Sequence, residues 1–282
     1  MFTKAICNVV EIISSRHSIW LDKVFTKFHE HYTIYDHYLE KTSPLSQRNY
    51  RTCINIMNSQ PFNITITQNN NQITLGQQDV VNLFHHLYYN SRVWQNTYFL
   101  GHHILKCPLD LWIYQEMMFE LKPDVIIETG TFHGASALYL ASLCDIVGNG
   151  EIITIDIDFV PNRPQHPRIT HLLGSSTAPN IVEQVKNRVA GKQTILVILD
   201  SDHSKAHVDE EMRIYNEFVT IGSYLIVEDS NVNGHPISPN FGPGPMESIE
   251  AFLKVNSNFI LDSSREKFFM TFNPNGCLKK VA

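Results

Sequence analysis

The sequence predicts an α/β protein built on a doubly wound, mostly parallel sheet. Two observations carry this. From residue 108 onward, short apolar runs alternate with longer segments whose apolar residues recur at helical spacing. Each run then stops abruptly at a glycine turn or at carboxylates, as strands do when their C-terminal ends open onto a ligand cleft.

The elements follow in order. "PLDLWIYQEMMFELKP" has helical spacing and stops at Pro123. "DVIIETG" reads as a first buried strand ending in a glycine turn, and "ASALYLASLCDIV" as a helix closed by "GNG". "EIITIDID" and "RITHLLG" are a second and third strand. "APNIVEQVKNRVA" is a helix, "QTILVILD" a fourth strand, "AHVDEEMRIYNEFV" a helix and "GSYLIVED" a fifth strand. "GPMESIEAFLKVN" is a helix, and "FILD" with "KFFMTFN" makes a terminal hairpin-like pair.

The first 95 residues differ in composition, being rich in Asn, Gln, His and Tyr. "TKFHEHYTIYDHYLEKTS" reads as an amphipathic helix, "NSQPFNITITQNNNQITLGQQD" as a hairpin and "VVNLFHHLYYNSRVW" as a helix. The division expected is an N-terminal α+β extension over residues 1–100, serving acceptor recognition or self-association, and an α/β domain over 101–282.

Totals narrow the function. The net charge of -6 argues against a nucleic-acid partner, which needs a basic field. The five cysteines (Cys7, Cys53, Cys107, Cys144 and Cys277) are odd in number and widely spaced, so neither a disulfide framework nor structural zinc is expected. A reducing, cytoplasmic setting follows, and no apolar run is long enough for a membrane span.

Chemistry concentrates at the strand ends. "ETGTFHGAS" (Glu128 to Ser136) lacks both the G-x-G-x-x-G pattern and the P-loop lysine. An acid followed by a short glycine turn suits a ligand with a cationic centre and an amino-acid group, such as S-adenosylmethionine. Glu128, Gly130, Thr131, Gly134 and Ser136 are the candidates there. Asp156 closes the second strand, where a carboxylate holds ribose hydroxyls in nucleotide-binding sheets. Gly174, Ser175 and Ser176 follow the third strand and would let a flat base approach the backbone. Asp200 ends the fourth strand and Glu228–Asp229 the fifth. Adjacent strands would bring these acids together, at a cost unless a cation neutralises them. Oxygen donors favour Mg2+ or another hard divalent ion. Asp202 could cap the next helix, and His203 could serve in acid–base work. His102, His103 and the pair His85–His86 show no spacing that defines a site.

These stretches, together with "LVILDSDHSKAHVDEEMRIYNEFVTIGSYLIVEDSNVNGHP" and "NFGPGPMESIEAFL", resemble the cephalosporin hydroxylase / rhamnosyl O-methyltransferase family. The resemblance spans about residues 104–275. It implies a Rossmann-like class I fold with a seven-stranded sheet and an S-adenosylmethionine- and metal-dependent O-methyltransferase acting on a sugar hydroxyl, rhamnose-like or of another glycan unit. It implies Asp200, Glu228 and Asp229 as metal ligands, Asp200 also beside the donor, and Asp202 as the base, with His203 as the second candidate. The competing readings are a metal-dependent hydroxylase and a non-catalytic donor-binding assembly protein. Partners expected are a small-molecule or glycan acceptor and a second copy of the chain.

Overall fold

The computed structural model describes residues 63–68 and 71–282. It divides into two compact units, one ending at Val80 and one running from Val81 to Ala282. In the first, β1 (Asn63–Gln68) pairs antiparallel with β2 (Asn71–Gly76), in register from Asn63 opposite Gly76 to Gln68 opposite Asn71. This is the hairpin the alternating pattern predicts. The helix expected over residues 26–43 lies outside the described residues. Helix α1 (Gln77–Asn90) follows.

The second unit is the α/β domain. Two short strands, β3 (Tyr98–Phe99) and β4 (His102–His103), pair with each other ahead of α2 (Pro108–Leu121). Pro108 sits in the first turn, where its missing N–H costs nothing, and Lys122 ends the helix in a left-handed conformation before Pro123. Then come β5 (Val125–Thr129), α3 (Ala135–Val147), β6 (Glu151–Asp156) and β7 (Ile169–Leu173). Next are α4 (Pro179–Val189), β8 (Ile195–Leu199), α5 (Lys205–Tyr215) and β9 (Tyr224–Val227). The last elements are α6 (Pro245–Val255), β10 (Phe259–Leu261) and β11 (Cys277–Lys280).

Seven strands form one sheet in the order β7-β6-β5-β8-β9-β11-β10. The five from β5 to β9 are mutually parallel, and β11 runs antiparallel to both β9 and β10. Both faces are covered, which is why the central strands read as unbroken apolar runs. Val125 and Ile127 of β5, with Ile195, Val197 and Leu199 of β8, pack against α4, α5 and α6. Ile126, Leu196 and Ile198 face α2 and α3. Complete burial of such a side chain contributes about 1.5–3 kcal/mol. Among the described residues, no helix is long and apolar enough to cross a membrane, and Cys107, Cys144 and Cys277 are buried thiols without disulfides.

One element differs from expectation. "KFFMTFN" is not a strand; the partner of β10 is Cys277–Lys280. Met270 and Phe272 instead drop into a satellite cluster with Cys107, Tyr88, Tyr89 and Trp94, and a turn at Asn273–Gly276 precedes the true strand.

At the C-terminal edge the strand ends are tied together. Gly130 N–H donates to Ile155 O (2.8 Å), Asp200 N–H to Thr129 O (3.0 Å) and Glu228 N–H to Leu199 O (2.9 Å). Gly130 has φ 88°, and a Cβ there would lie 1.8 Å from the Asp200 carbonyl oxygen. Only glycine lets these two loops touch. Gly130→Ala is therefore expected to destabilise the domain by about 3 kcal/mol or more, whereas Gly222→Ala, at positive φ but in open space, costs about 1 kcal/mol. Urea denaturation of both variants checks this; equal losses would show that the close approach at Gly130 is not a constraint.

Candidate active site

A cleft of about 720 Å³ opens beyond the sheet edge. It is lined by the loops after β5, β6 and β7, by the end of α1 and the segment between α1 and α2, and by Asp200, Asp202 and Asp229.

The β5 loop supplies Gly130, Thr131, Gly134 and Ser136, all lining the cleft. Phe132, at φ 45°, donates its N–H to Asp156 Oδ2 (2.6 Å), and Arg163 clamps the same oxygen (2.9 Å). Asp158 N–H takes Asp156 Oδ1 (2.9 Å). Asp156 thus reaches the cleft already engaged in holding the two loops together. Gly174, Ser175 and Ser176 line the same side. Ser176 is held by Tyr215, whose hydroxyl donates to the Ser176 carbonyl (2.7 Å), and its Oγ lies 3.3 Å from His207 Nε2.

Glu128, expected beside the donor, is placed beneath the loop. It does not line the cleft. It is the fourth residue of β5, so alternation turns it toward the start of α3, where it is only 1% exposed. Ser136 Oγ donates to one of its oxygens and Thr154 Oγ1 to the other (2.6 Å). Its part is to anchor the loop from beneath.

The acids after β8 and β9 do converge. One donor atom each from Asp200, His203 and Asp229 can be chosen so that all three lie within 4.8 Å of one another. His203 Nε2 is 3.1 Å from Asp229 Oδ2. Asp229 adopts φ 53°, an uncommon conformation for a non-glycine residue, and its N–H is held by Asn273 Oδ1 (2.9 Å). Glu228, expected as a metal ligand, is placed otherwise. Lys106 Nζ donates to its Oε2 (2.6 Å) and to Asp200 Oδ2 (2.5 Å), while the Tyr114 hydroxyl donates to its Oε1 (2.8 Å). His203 stands where Glu228 was expected in the trio. Burial pushes the carboxyls of Asp200, Glu228 and Asp229 above their ordinary range, with Lys106 and His203 opposing it. Two carboxylates raised by burial and an imidazole, close enough to share one ion, fit a divalent cation.

Asp202 is exposed at the cleft rim, and its Oδ1 accepts the N–H of Ser204 (2.7 Å). That bond holds its carboxyl below the ordinary range. Sequence reasoning missed Lys106, Tyr114, Asn273 and His207. Lys106 lies 94 and 122 positions from its two partners, with no local pattern to mark it. The "NVNGHP" loop is shaped rather than loose: Glu247 gathers Asn233 Nδ2 (2.8 Å), His235 Nε2 (3.1 Å) and Gly244 N–H (2.7 Å).

A model of the family described as rhamnosyl O-methyltransferase/CmcI matches residues 91–281. Rhamnosyl O-methyltransferases of Mycobacterium tuberculosis and Mycobacterium leprae are each 42% identical to the chain, over 204 and 203 residues. Those alignments cover 69% of this chain and 82% and 88% of the two relatives. Among solved structures, CmcI with Mg and SAM is similar in fold at TM-score 0.52 and 23% identity, over 67% of this chain and 78% of that one. An apo structure of CmcI gives the same score over 77% of its chain.

Burial raises Glu128 from 4.5 to about 7, against the opposing charge of Lys106. Between these values the folded chain keeps a proton that the unfolded chain has released, so stability falls as pH rises through the window. Relative to Glu128→Gln, the protein is expected to lose up to about 3 kcal/mol between pH 4.5 and 7. Denaturation curves that run parallel across that range would contradict a buried, proton-holding Glu128.

Proposed function

The chain belongs to the rhamnosyl O-methyltransferase/CmcI family, and from that premise we propose that its cleft moves a methyl group from S-adenosylmethionine to a sugar hydroxyl beside a divalent cation. The observation that carries this reading is the convergence of Asp200, His203 and Asp229 in the same cleft as the Gly130 and Gly174 loops.

The donor belongs on the β5–β7 side. Gly130, Thr131, Gly134 and Ser136 offer a tight backbone turn, Asp156 ends β6, and Gly174, Ser175 and Ser176 lie beyond β7. The cleft volume falls within the range of small-molecule sites. Asp200 borders both the donor loop and the acid cluster. Asp200 and Asp229 are the carboxylates that would hold Mg2+ or a similar ion, with His203 as the third donor as the side chains stand. Glu228 stays on Lys106 and Tyr114 and orders the cluster from behind. Bound here, S-adenosylmethionine supplies an electrophilic methyl group, and the cation supplies charge that lowers the pKa of an acceptor hydroxyl.

Asp202 takes the hydroxyl proton. Its lowered carboxyl is ionised at working pH but is a weak base, able to accept a proton only from an acidified hydroxyl. That mismatch is the physical reason for pairing it with a cation. His203 is engaged with Asp229 and leaves this role to Asp202. A non-haem iron hydroxylase is less well supported, because its facial site uses two histidines and one carboxylate and this cluster has the reverse. We assign residues 1–100 to acceptor recognition and self-association.

Asp200→Asn is expected to abolish cation-stimulated methyl transfer while leaving S-adenosylhomocysteine affinity within a few-fold. Calorimetry and a methyl-transfer assay with and without chelator measure both, and undiminished activity in chelator would sink the cation's role. Asp202→Asn is expected to lower kcat by about 10²–10⁴-fold with unchanged cation affinity. A kcat equal to the parent's would exclude Asp202 as the proton acceptor.

A further inference from the structure

Part of the cleft lining is aromatic and rigid. Tyr89 and Trp94 both belong to it. Their rings stack, with centroids 5.2 Å apart and planes 24° from parallel. Phe272 props both from behind, edge-on to Trp94 at 6.0 Å and to Tyr89 at 5.6 Å. Trp94 Nε1 donates to the Tyr89 carbonyl (3.0 Å), so the indole cannot turn without abandoning a bond. His103 also lines the cleft, stacked on Tyr98 at 5.4 Å with its Nε2 bonded to the Gln95 carbonyl, and its ring lies 5.6 Å from that of His133 in the β5 loop. The platform lies close to the acid cluster: burial and the nearby Asp229 charge both raise the Tyr89 phenol.

The charges around it are as telling. Among the described residues, the cleft lining has no arginine, and its one lysine, Lys106, is saturated by Asp200 and Glu228. Asp156, Asp200, Asp202 and Asp229 all border the space. An acceptor carrying phosphate or carboxylate at this platform would meet these carboxylates with no arginine or unpaired lysine in the lining to offset them.

We propose that Tyr89 and Trp94 form the acceptor subsite, where an uncharged sugar ring lies with its C–H face on the aromatic platform and a hydroxyl turned toward Asp200 and Asp229. The inference deepens the methyl-transfer reading and rests on it. A rigid aromatic face suits the apolar side of a pyranose because it offers contact area with few rotamers to freeze. Donor loops follow β5, β6 and β7, while Asp229, whose charge reaches Tyr89, follows β9 on the other side of β8.

The test uses the full chain with S-adenosylmethionine, Mg2+ and two probes, an aryl α-L-rhamnopyranoside and a nucleoside-diphosphate rhamnose. Trp94→Ala is expected to raise KM for the aryl rhamnoside tenfold or more and to leave the S-adenosylhomocysteine Kd within twofold; Trp94→Phe recovers most of the loss. The charged probe is expected to show at least tenfold higher KM than the neutral one. An unchanged KM in Trp94→Ala, donor affinity falling in step with KM, or preference for the charged probe would overturn the proposal. Should Trp94→Ala fail to fold, tryptophan fluorescence decides. The aryl rhamnoside is expected to quench the parent protein in the presence of S-adenosylhomocysteine, and Trp94→Phe much less; equal quenching in both overturns the subsite. A parent protein that methylates neither sugar defeats the methyl-transfer reading itself, and the quenching comparison still tests the platform separately.

Discussion

The site depends on managing crowded negative charge at the ends of two neighbouring strands. Parallel pairing of β8 with β9 brings Asp200 next to Glu228 and Asp229 whatever else the chain does. Desolvated carboxylates so close together would protonate or splay apart unless cations met them. The fold answers with Lys106, which is 7% exposed and bridges one acid from each strand. Tyr114 satisfies the other oxygen of Glu228, and Asn273 Nδ2 in turn donates to the Tyr114 hydroxyl (3.1 Å). Glu228 is thereby fixed as a structural anion. Asp200 and Asp229, with only partial compensation from Lys106 and His203, are left as the pair that a divalent ion would complete.

This arrangement also divides the cleft. Asp200 is bonded through its backbone to Thr129 of β5 and presses its carbonyl against Gly130, so the acid cluster and the donor loop move as one body. Preorganisation of that kind suits a transfer in which alignment of donor and acceptor is the protein's main contribution. Asp156, Phe132 and Arg163 hold the far side of the donor loop in the same manner. On the acceptor side, the aromatic wall takes its rigidity from Phe272, the residue that the apolar pattern had assigned to a strand.

The sequence made the sheet legible because both its faces are covered: apolar runs, helix stops and strand-end acids then fall in chain order. Asp200 and Asp229 were legible for the same reason, since neighbouring strands must present their ends together. The surroundings of Glu128 were not legible, because a strand-end acid in sequence can sit one residue short of the edge, and alternation then turns it toward a helix. The pairing of Glu228 was not legible, because its partner, Lys106, comes from a connecting segment with no periodicity to mark it. Tyr89 and Trp94 fall in a stretch that reads as a helix, and only their place in the cleft lining suggests a role. The terminal strand was misplaced because "KFFMTFN" has strand-like residues that are used for packing, while "CLKK" pairs with β9 despite its lysines.

The central claim is that Asp200 and Asp229 close around a divalent cation next to the donor loops. Anomalous diffraction from crystals grown with manganese and S-adenosylhomocysteine tests it most directly. The account predicts one manganese peak within coordination distance of the Asp200 and Asp229 carboxylates, with the nucleoside over Gly130 and Gly174. At saturating manganese, a peak elsewhere, or Asp200 and Asp229 still bonded only to Lys106 and His203, would contradict it.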